Sequence, residues 1–198
     1  FIDVNQSWKK DGLIAWLPFD GNSSDMSDNK NNAIVSGNPT WSDGKISQAI
    51  NLNGSDQFIN LTLECPITFS ISCWIKTSDD AAAITGVDQS FVYWLDNYKL
   101  RFEVNNGTWK QPITYNVANT WTFTVAIYDS ILNESIIYKD GDFFSKRVIL
   151  NKINNSNHFV IGKKPLGSGR FFQGLIDDFR IYDRALSAAE VQALYNMG

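Results

Sequence analysis

At 198 residues, with 43% apolar and 14% aromatic side chains, the chain carries enough apolar mass for one large core, and one domain is expected. A formal charge of -4 without any Lys/Arg cluster excludes nucleic acid and anionic membrane surfaces as partners, since both demand concentrated positive charge. No apolar run reaches the ~20 residues of a membrane span, so no membrane insertion is expected.

Residues 1–11 read as a linker or N-terminal extension in which only Trp8 is placed to pack back, and residues 12–198 as the domain. The start, FIDVNQSWKK, lacks the pattern of a signal peptide and has no initial methionine, as expected of an excised or processed piece. Short alternating or apolar runs then recur between Asn, Asp, Gly and Ser. They predict strands over 13–19, 33–35, 49–52, 58–61, 68–77, 82–87, 91–95, 99–104, 121–128, 134–139, 142–150, 158–161 and 174–182. Asp96-Asn97, Asn106-Gly107 and Asp140-Gly141 mark turns, the last between two apolar runs that read as a hairpin. So many strands imply two stacked sheets in an all-β sandwich.

The two cysteines, Cys65 and Cys73, flank a segment that reads as strand. Eight strand residues span roughly 26 Å, whereas disulfide-bonded Cα atoms lie within about 7 Å, so these two are not expected to pair. Cys73, in phase with Phe69, Ile71 and Ile75, reads as a small core residue, and Cys65 beside Pro66 as a turn thiol.

The run 174–195, GLIDDFRIYDRALSAAEVQALY, joins an alternating strand to a capped helix. Leu175, Asp177, Phe179 and Ile181 share one strand face, which places an aspartate among apolar residues. Such a carboxylate is either a hydrogen-bonded strand-end group or a cation ligand. Ser187 and Glu190 form a capping box, and Leu186 with Val191 a hydrophobic staple, ahead of a helix over 188–195.

A second polar cluster, DGNSSDMSDNKNN from Asp20 to Asn32, follows the first strand. Calcium accepts about 6 to 8 oxygen ligands, backbone and Asn carbonyls included, so the loop suits it; the alternative is an ordinary polar loop. Antiparallel pairing of the first and last strands would bring Asp20 towards Asp177, where a cation would remove their repulsion. One histidine and two cysteines do not supply a structural zinc, and His158 beside Phe159 reads as a surface or packing residue.

GLIAWLPFDGNSSD, AINLNGSDQFINL, PITFSISCWIKT and FFQGLIDDFRIYDRALSAAEVQALY, in that order, resemble the laminin G-like domains of the concanavalin A-like lectin/glucanase superfamily. The resemblance spans Gly12 to Tyr195. It implies a jelly-roll sandwich, two antiparallel sheets with a short C-terminal helix, mostly non-catalytic binding, often of carbohydrate, and a structural calcium ion near the terminal strands. Asp20 and Asp177 then look like side-chain ligands, with Asn22 contributing through its carbonyl; Asp25 and Asp28 lie in the same loop.

Glycosidases on this fold need two carboxylates on one concave strand. Glu64, Glu103 and Glu134 are each alone in different segments, and Asp79-Asp80 would point to opposite faces if extended, so no enzyme is expected. Sugar recognition combines an aromatic face with amide and carboxylate hydrogen-bonders. Trp109, Asn106, Trp94 and Tyr98 are the ligand candidates, with Trp41, Phe143, Phe144 and Phe172 as further aromatics in or beside polar loops; the alternative is core or strand-edge packing. Trp16, Trp74 and Trp121 read as core.

The expected function is a calcium-stabilised, non-catalytic module that binds a glycan or surface glycoprotein at an extracellular, cell or virion surface. A place in a larger multidomain or virion assembly is compatible with that expectation. The alternative is a structural or protein-interaction module, such as a virion decoration, attachment or adhesin domain, without a sugar site.

Overall fold

The computed structural model describes residues 4–104, 113–117, 119–149, 153, 158–165 and 169–198. In chain order the strands are β1 (Leu13–Leu17), β2 (Ile34–Ser36), β3 (Thr40–Asp43), β4 (Gln48–Asn53), β5 (Phe58–Thr62), β6 (Phe69–Thr77), β7 (Ala83–Val87) and β8 (Phe91–Asp96). They continue as β9 (Lys99–Val104), β10 (Ile113–Asn116), β11 (Thr122–Asp129), β12 (Glu134–Lys139), β13 (Asp142–Val148), β14 (His158–Ile161) and β15 (Gln173–Tyr182). Among the described residues the one α-helix, α1, spans Ala188–Tyr195.

These strands form two sheets. The eight-stranded sheet runs β13-β12-β11-β6-β15-β4-β3 with β1 added beside β15; the seven-stranded sheet runs β10-β9-β8-β7-β14-β5-β2. Every pairing is antiparallel. The architecture is the expected two-sheet jelly-roll sandwich with a short C-terminal helix.

Period-two alternation sends one set of side chains between the sheets. Phe69, Ile71, Cys73 and Ile75 of β6 meet Phe91, Tyr93 and Leu95 of β8 and Leu100, Phe102 and Val104 of β9 in one core. Aromatic packing fills it: Phe69 lies 4.7 Å from Phe91 and 6.0 Å from Phe102, between ring centroids. Cys65 is buried in this core as well, and burial pushes its thiol up to about 12 and that of Cys73 higher still. Both are free.

Two hairpin turns have the left-handed backbone that a tight antiparallel return requires. Asn97 and Tyr98 have φ of 50° and 59° between β8 and β9; Asp140 and Gly141 have 50° and 86° between β12 and β13. The strands missing from the sequence reading are β3 and β10. Both are sheet edges. Both are four-residue runs of mixed polarity, and their extended form shows in their pairing with β4 and β9.

The outer face of the eight-stranded sheet is covered over part of its width. Ser187 Oγ accepts from the Glu190 amide, Glu190 Oε2 accepts from the Ser187 amide, and Leu186 and Val191 are both buried, so box and staple are both formed. The helix lays Val191 and Leu194 over Trp74, Phe123 and Tyr182. Within the stretch read as a linker or N-terminal extension, Val4–Lys9 is a 3-10 helix. Arg184 holds it by donating to the carbonyls of Trp8 and Asp11 while gripping Glu190, and Trp8 packs against the helix-side cluster.

Candidate functional site

β15 changes neighbours halfway along. Through Ile176 it pairs with β4, and from Phe179 with β1, so the expected antiparallel contact of first and last strands is present. Between the halves the register against β6 slips at Asp177 to Arg180, and Asp178 has φ of 50°. This is a β-bulge, and aspartate is among the few non-glycine residues that tolerate the left-handed region. The bulge corrects the alternation read from sequence. Ile176, then Phe179 and Ile181, enter the core. Asp177 pairs with Trp74 of the outer cluster, and Asp178 accepts from Trp16 Nε1 and Arg180, also on the outer side.

Asp177 is fully buried beneath the β3–β4 turn, where its Oδ2 accepts from the amides of Lys45 (2.7 Å) and Ile46 (2.8 Å). The turn comes this close because residue 44 is glycine: a β-carbon there would lie 2.6 Å from Asp177 Oδ2 and 2.7 Å from the Gln48 carbonyl. Asp177 Oδ1 is buried without a hydrogen-bond partner among the described residues. Burial pushes the carboxyl up to about 7; the Ile46 and Lys45 amides oppose this, and Asp178 and Asp20 add to it.

Asp20 reaches the same turn from the other side, its Oδ1 accepting from the Gln48 amide at 2.9 Å. The two carboxylates thus converge on one turn. Asn22 is exposed, and its side chain serves its own loop: Oδ1 accepts from the Ser24 amide and Nδ2 donates to the Asp20 carbonyl. Asp28 is exposed and faces Lys10.

The loop itself is organised by Asp25, whose role spacing did not assign. Its carboxylate accepts from the amides of Trp16, Ser27 and Asn31 and from the Ser27 hydroxyl, all within 2.8 Å. Its sequence signal is the run of Asx and Ser residues whose side chains fold loops back on their own amides.

The donor set at Asp20 and Asp177 is all oxygen, which suits calcium in kind. The unpartnered Asp177 Oδ1 and the neighbouring negative charges fit either a cation or a proton. Among the described residues no three His, Cys, Asp or Glu side chains form a group that could hold a metal. An ion at this point would therefore take its remaining ligands from backbone carbonyls and water.

Of the ligand candidates, Trp94 and Tyr98 fall on the seven-stranded sheet. Trp94 of β8 is half-buried on its outer face, with the Arg170 guanidinium 3.9 Å and that of Arg101 5.8 Å from the ring centre. One ring face is thus taken by the chain's own arginine. Glu103 lies buried beside them; burial raises its carboxyl, against the opposing pull of Trp94, Arg101, Lys164 and Arg170. Tyr98 is half-buried in the β8–β9 turn. Asn106 and Trp109 lie outside the described residues. Of the further aromatics, Phe172 is fully buried and belongs to the core, so it cannot present a ring to a ligand, while Phe143 is exposed.

The glutamates do not converge. Glu64 follows β5, Glu103 sits on β9, and Glu134 pairs with Lys146 at the far edge of the other sheet. Asp79 and Asp80 lie in the β6–β7 connection.

The family model described as the concanavalin A-like lectin/glucanases superfamily, Laminin_G_3, matches residues 43–192, and the chain belongs to that family. No curated protein sequence matches it. Among solved structures, it resembles domain 4 of AbnA, a GH43 extracellular arabinanase from Geobacillus stearothermophilus, in complex with arabinotriose. The TM-score is 0.79 at 23% identity, over 92% of this chain and 98% of that one. The binding domain of Paraclostridial Mosquitocidal Protein 1 gives 0.79 at 24% identity, over 95% of this chain and 52% of that one. The binding domain of botulinum neurotoxin DC in complex with SialylT gives 0.78 at 19%, with the same coverage. The chain spans about half the length of these toxin domains. At such identities the likeness establishes the fold.

Proposed function

We propose that this chain is a non-catalytic carbohydrate-binding module that acts outside the cell, at a cell or particle surface, with calcium stabilising its terminal strands. The observation that carries the reading is the group on the outer face of the seven-stranded sheet: an indole, two guanidinium groups and a carboxylate, at Trp94, Arg101, Arg170 and Glu103. Sugar recognition uses this pairing of an apolar ring with hydrogen-bonding side chains. Family membership and the arabinotriose complex of a structurally similar domain support it. Trp94 and Tyr98 remain the described candidates for ligand contact, and Asn106 and Trp109 keep that role as proposals.

For the ion, Asp20 and Asp177 supply side-chain oxygens and Asn22 its main-chain carbonyl. Calcium here neutralises two converging carboxylates and ties the β3–β4 turn to β15. The dispersal of Glu64, Glu103 and Glu134 supports a role without catalysis, because hydrolysis needs two carboxylates flanking one bond.

A glycan array tests the function, and turnover assays on the bound glycans test the absence of catalysis. Binding without turnover is expected; a blank array, or hydrolysis lost on replacing Glu103 or Glu134, overturns the respective part. The protein-interaction reading rests on a different observation. Ile67, Ile131 and Leu132 are 63%, 86% and 62% exposed at one end of the sandwich, where Thr68 and Ser130 hydrogen-bond. If the array is blank and serine at positions 131 and 132 abolishes attachment to the native surface, that reading replaces the first.

A further inference from the structure

The helix covers only part of the outer face of the eight-stranded sheet. Beyond it lies an open groove of about 480 Å³ on β3, β4, β15 and β6. One rung of the sheet runs straight across its floor: Lys76 opposite Leu175, Leu175 opposite Asn51, and Asn51 opposite Thr40. Gln173, Ser42 and Asn119 line its flanks.

The chemistry of this lining differs from the rest of the surface. Among the described residues the side chains of Ser42, Asn51, Asn119 and Gln173 make no hydrogen bond and Lys76 makes no ion pair, so hydroxyl, amide and ammonium groups are left for a ligand. Leu175 supplies an apolar floor between them. Among the described residues no acidic side chain lines the groove, and Lys76 is the one charge there. Four strands at about 4.8 Å spacing make it about 14 Å wide, the span of two to three sugar rings.

We propose that this groove binds an acidic oligosaccharide, with Lys76 pairing to the carboxylate of one uronate residue and Asn51, Gln173 and Ser42 bonding hydroxyls of the same and adjoining rings. A charge-assisted bond from lysine to carboxylate is stronger than the neutral bonds around it, so the acid sets the register of the chain in the groove. Amide side chains offer donor and acceptor together, as neighbouring sugar hydroxyls require. The proposal rests on the glycan-binding reading above and adds a second contact, on a face other than that of Trp94.

The test uses trisaccharides bearing one galacturonate, glucuronate or mannuronate residue, each alongside its counterpart with the carboxylate reduced to the alcohol, measured by calorimetry and amide chemical-shift mapping. The best acidic member is expected to bind about tenfold more tightly than its reduced form. Lys76→Met removes that difference without changing the melting temperature, and Asn51→Ala weakens both forms about fivefold. Shifts should centre on β4, β6 and β15. If binding maps to Trp94 and β9, or if Lys76→Met leaves the acidic preference intact, the groove is wrong while glycan binding stands. If no trisaccharide binds and the glycan array is blank, both fail.

Discussion

Asp25 and Asp177 are both buried carboxylates beside the end of β1, yet the chain meets them differently. Asp25 receives four hydrogen bonds from its own loop and the strand before it, so both oxygens are satisfied locally. Asp177 receives two amides on one oxygen from a turn more than a hundred residues away, and its other oxygen has none. Two neighbouring aspartates deepen that deficit. The first arrangement is complete as a fold element; the second leaves a demand for positive charge. An aspartate-rich segment is therefore no guide to metal binding until the amides around each carboxylate are accounted for.

Asp25→Ala should have the largest effect, because it strips acceptors from three backbone amides and a hydroxyl. A loss of about 3–5 kcal/mol in denaturant unfolding is expected, independent of calcium. A calcium-dependent loss would mean that the loop, and not β15, holds the ion. Next, saturating calcium at about 100 times its dissociation constant should stabilise the wild type by about 2.7 kcal/mol and leave Asp177→Asn unmoved. No rise in melting temperature with calcium would break the contrast between the two sites. Gly44→Ala drives a β-carbon against Asp177 and the Gln48 carbonyl, and should cost about 2 kcal/mol in melting experiments with or without the ion.

A smaller effect is expected from pH. Asp177 has a folded pKa of about 7, above its unfolded value near 3.8, so the folded state binds the extra proton between them. Its contribution falls as pH rises through that window, and in chelator the melting temperature should climb from pH 7.5 to 5.5 relative to Asp177→Asn. Calcium should flatten the difference. Ser187→Ala, remote from both carboxylates, should cost about 1 kcal/mol through the lost cap and sets the scale of an ordinary local change.

Much of the fold was legible in the chain. Thirteen strands, the capped helix and the Asp140-Gly141 hairpin followed from alternation, capping chemistry and turn residues, because each is decided within a few residues. Thr40–Asp43 and Ile113–Asn116 were not, since each is a four-residue run of mixed polarity that becomes a strand by pairing with β4 or β9. The site was legible only in outline. Asp20 and Asp177 do converge, but the bulge that turns Asp177 and Asp178 to the same side interrupts the very alternation by which a strand is read. Trp94 was visible as an aromatic near polar loops; the Arg170 guanidinium over its ring was not, because 76 residues separate them.

By itself, the sequence determined the sandwich and the helix that closes it, since period-two burial and a capping box are local consequences of side-chain type. Only the tertiary structure decided which aspartate is satisfied and which is left wanting, and which stretch of sheet remains open. Those outcomes depend on distant segments meeting: the β3–β4 turn over β15, β1 taking over from β4 beside it, and a helix too short to cover the whole sheet.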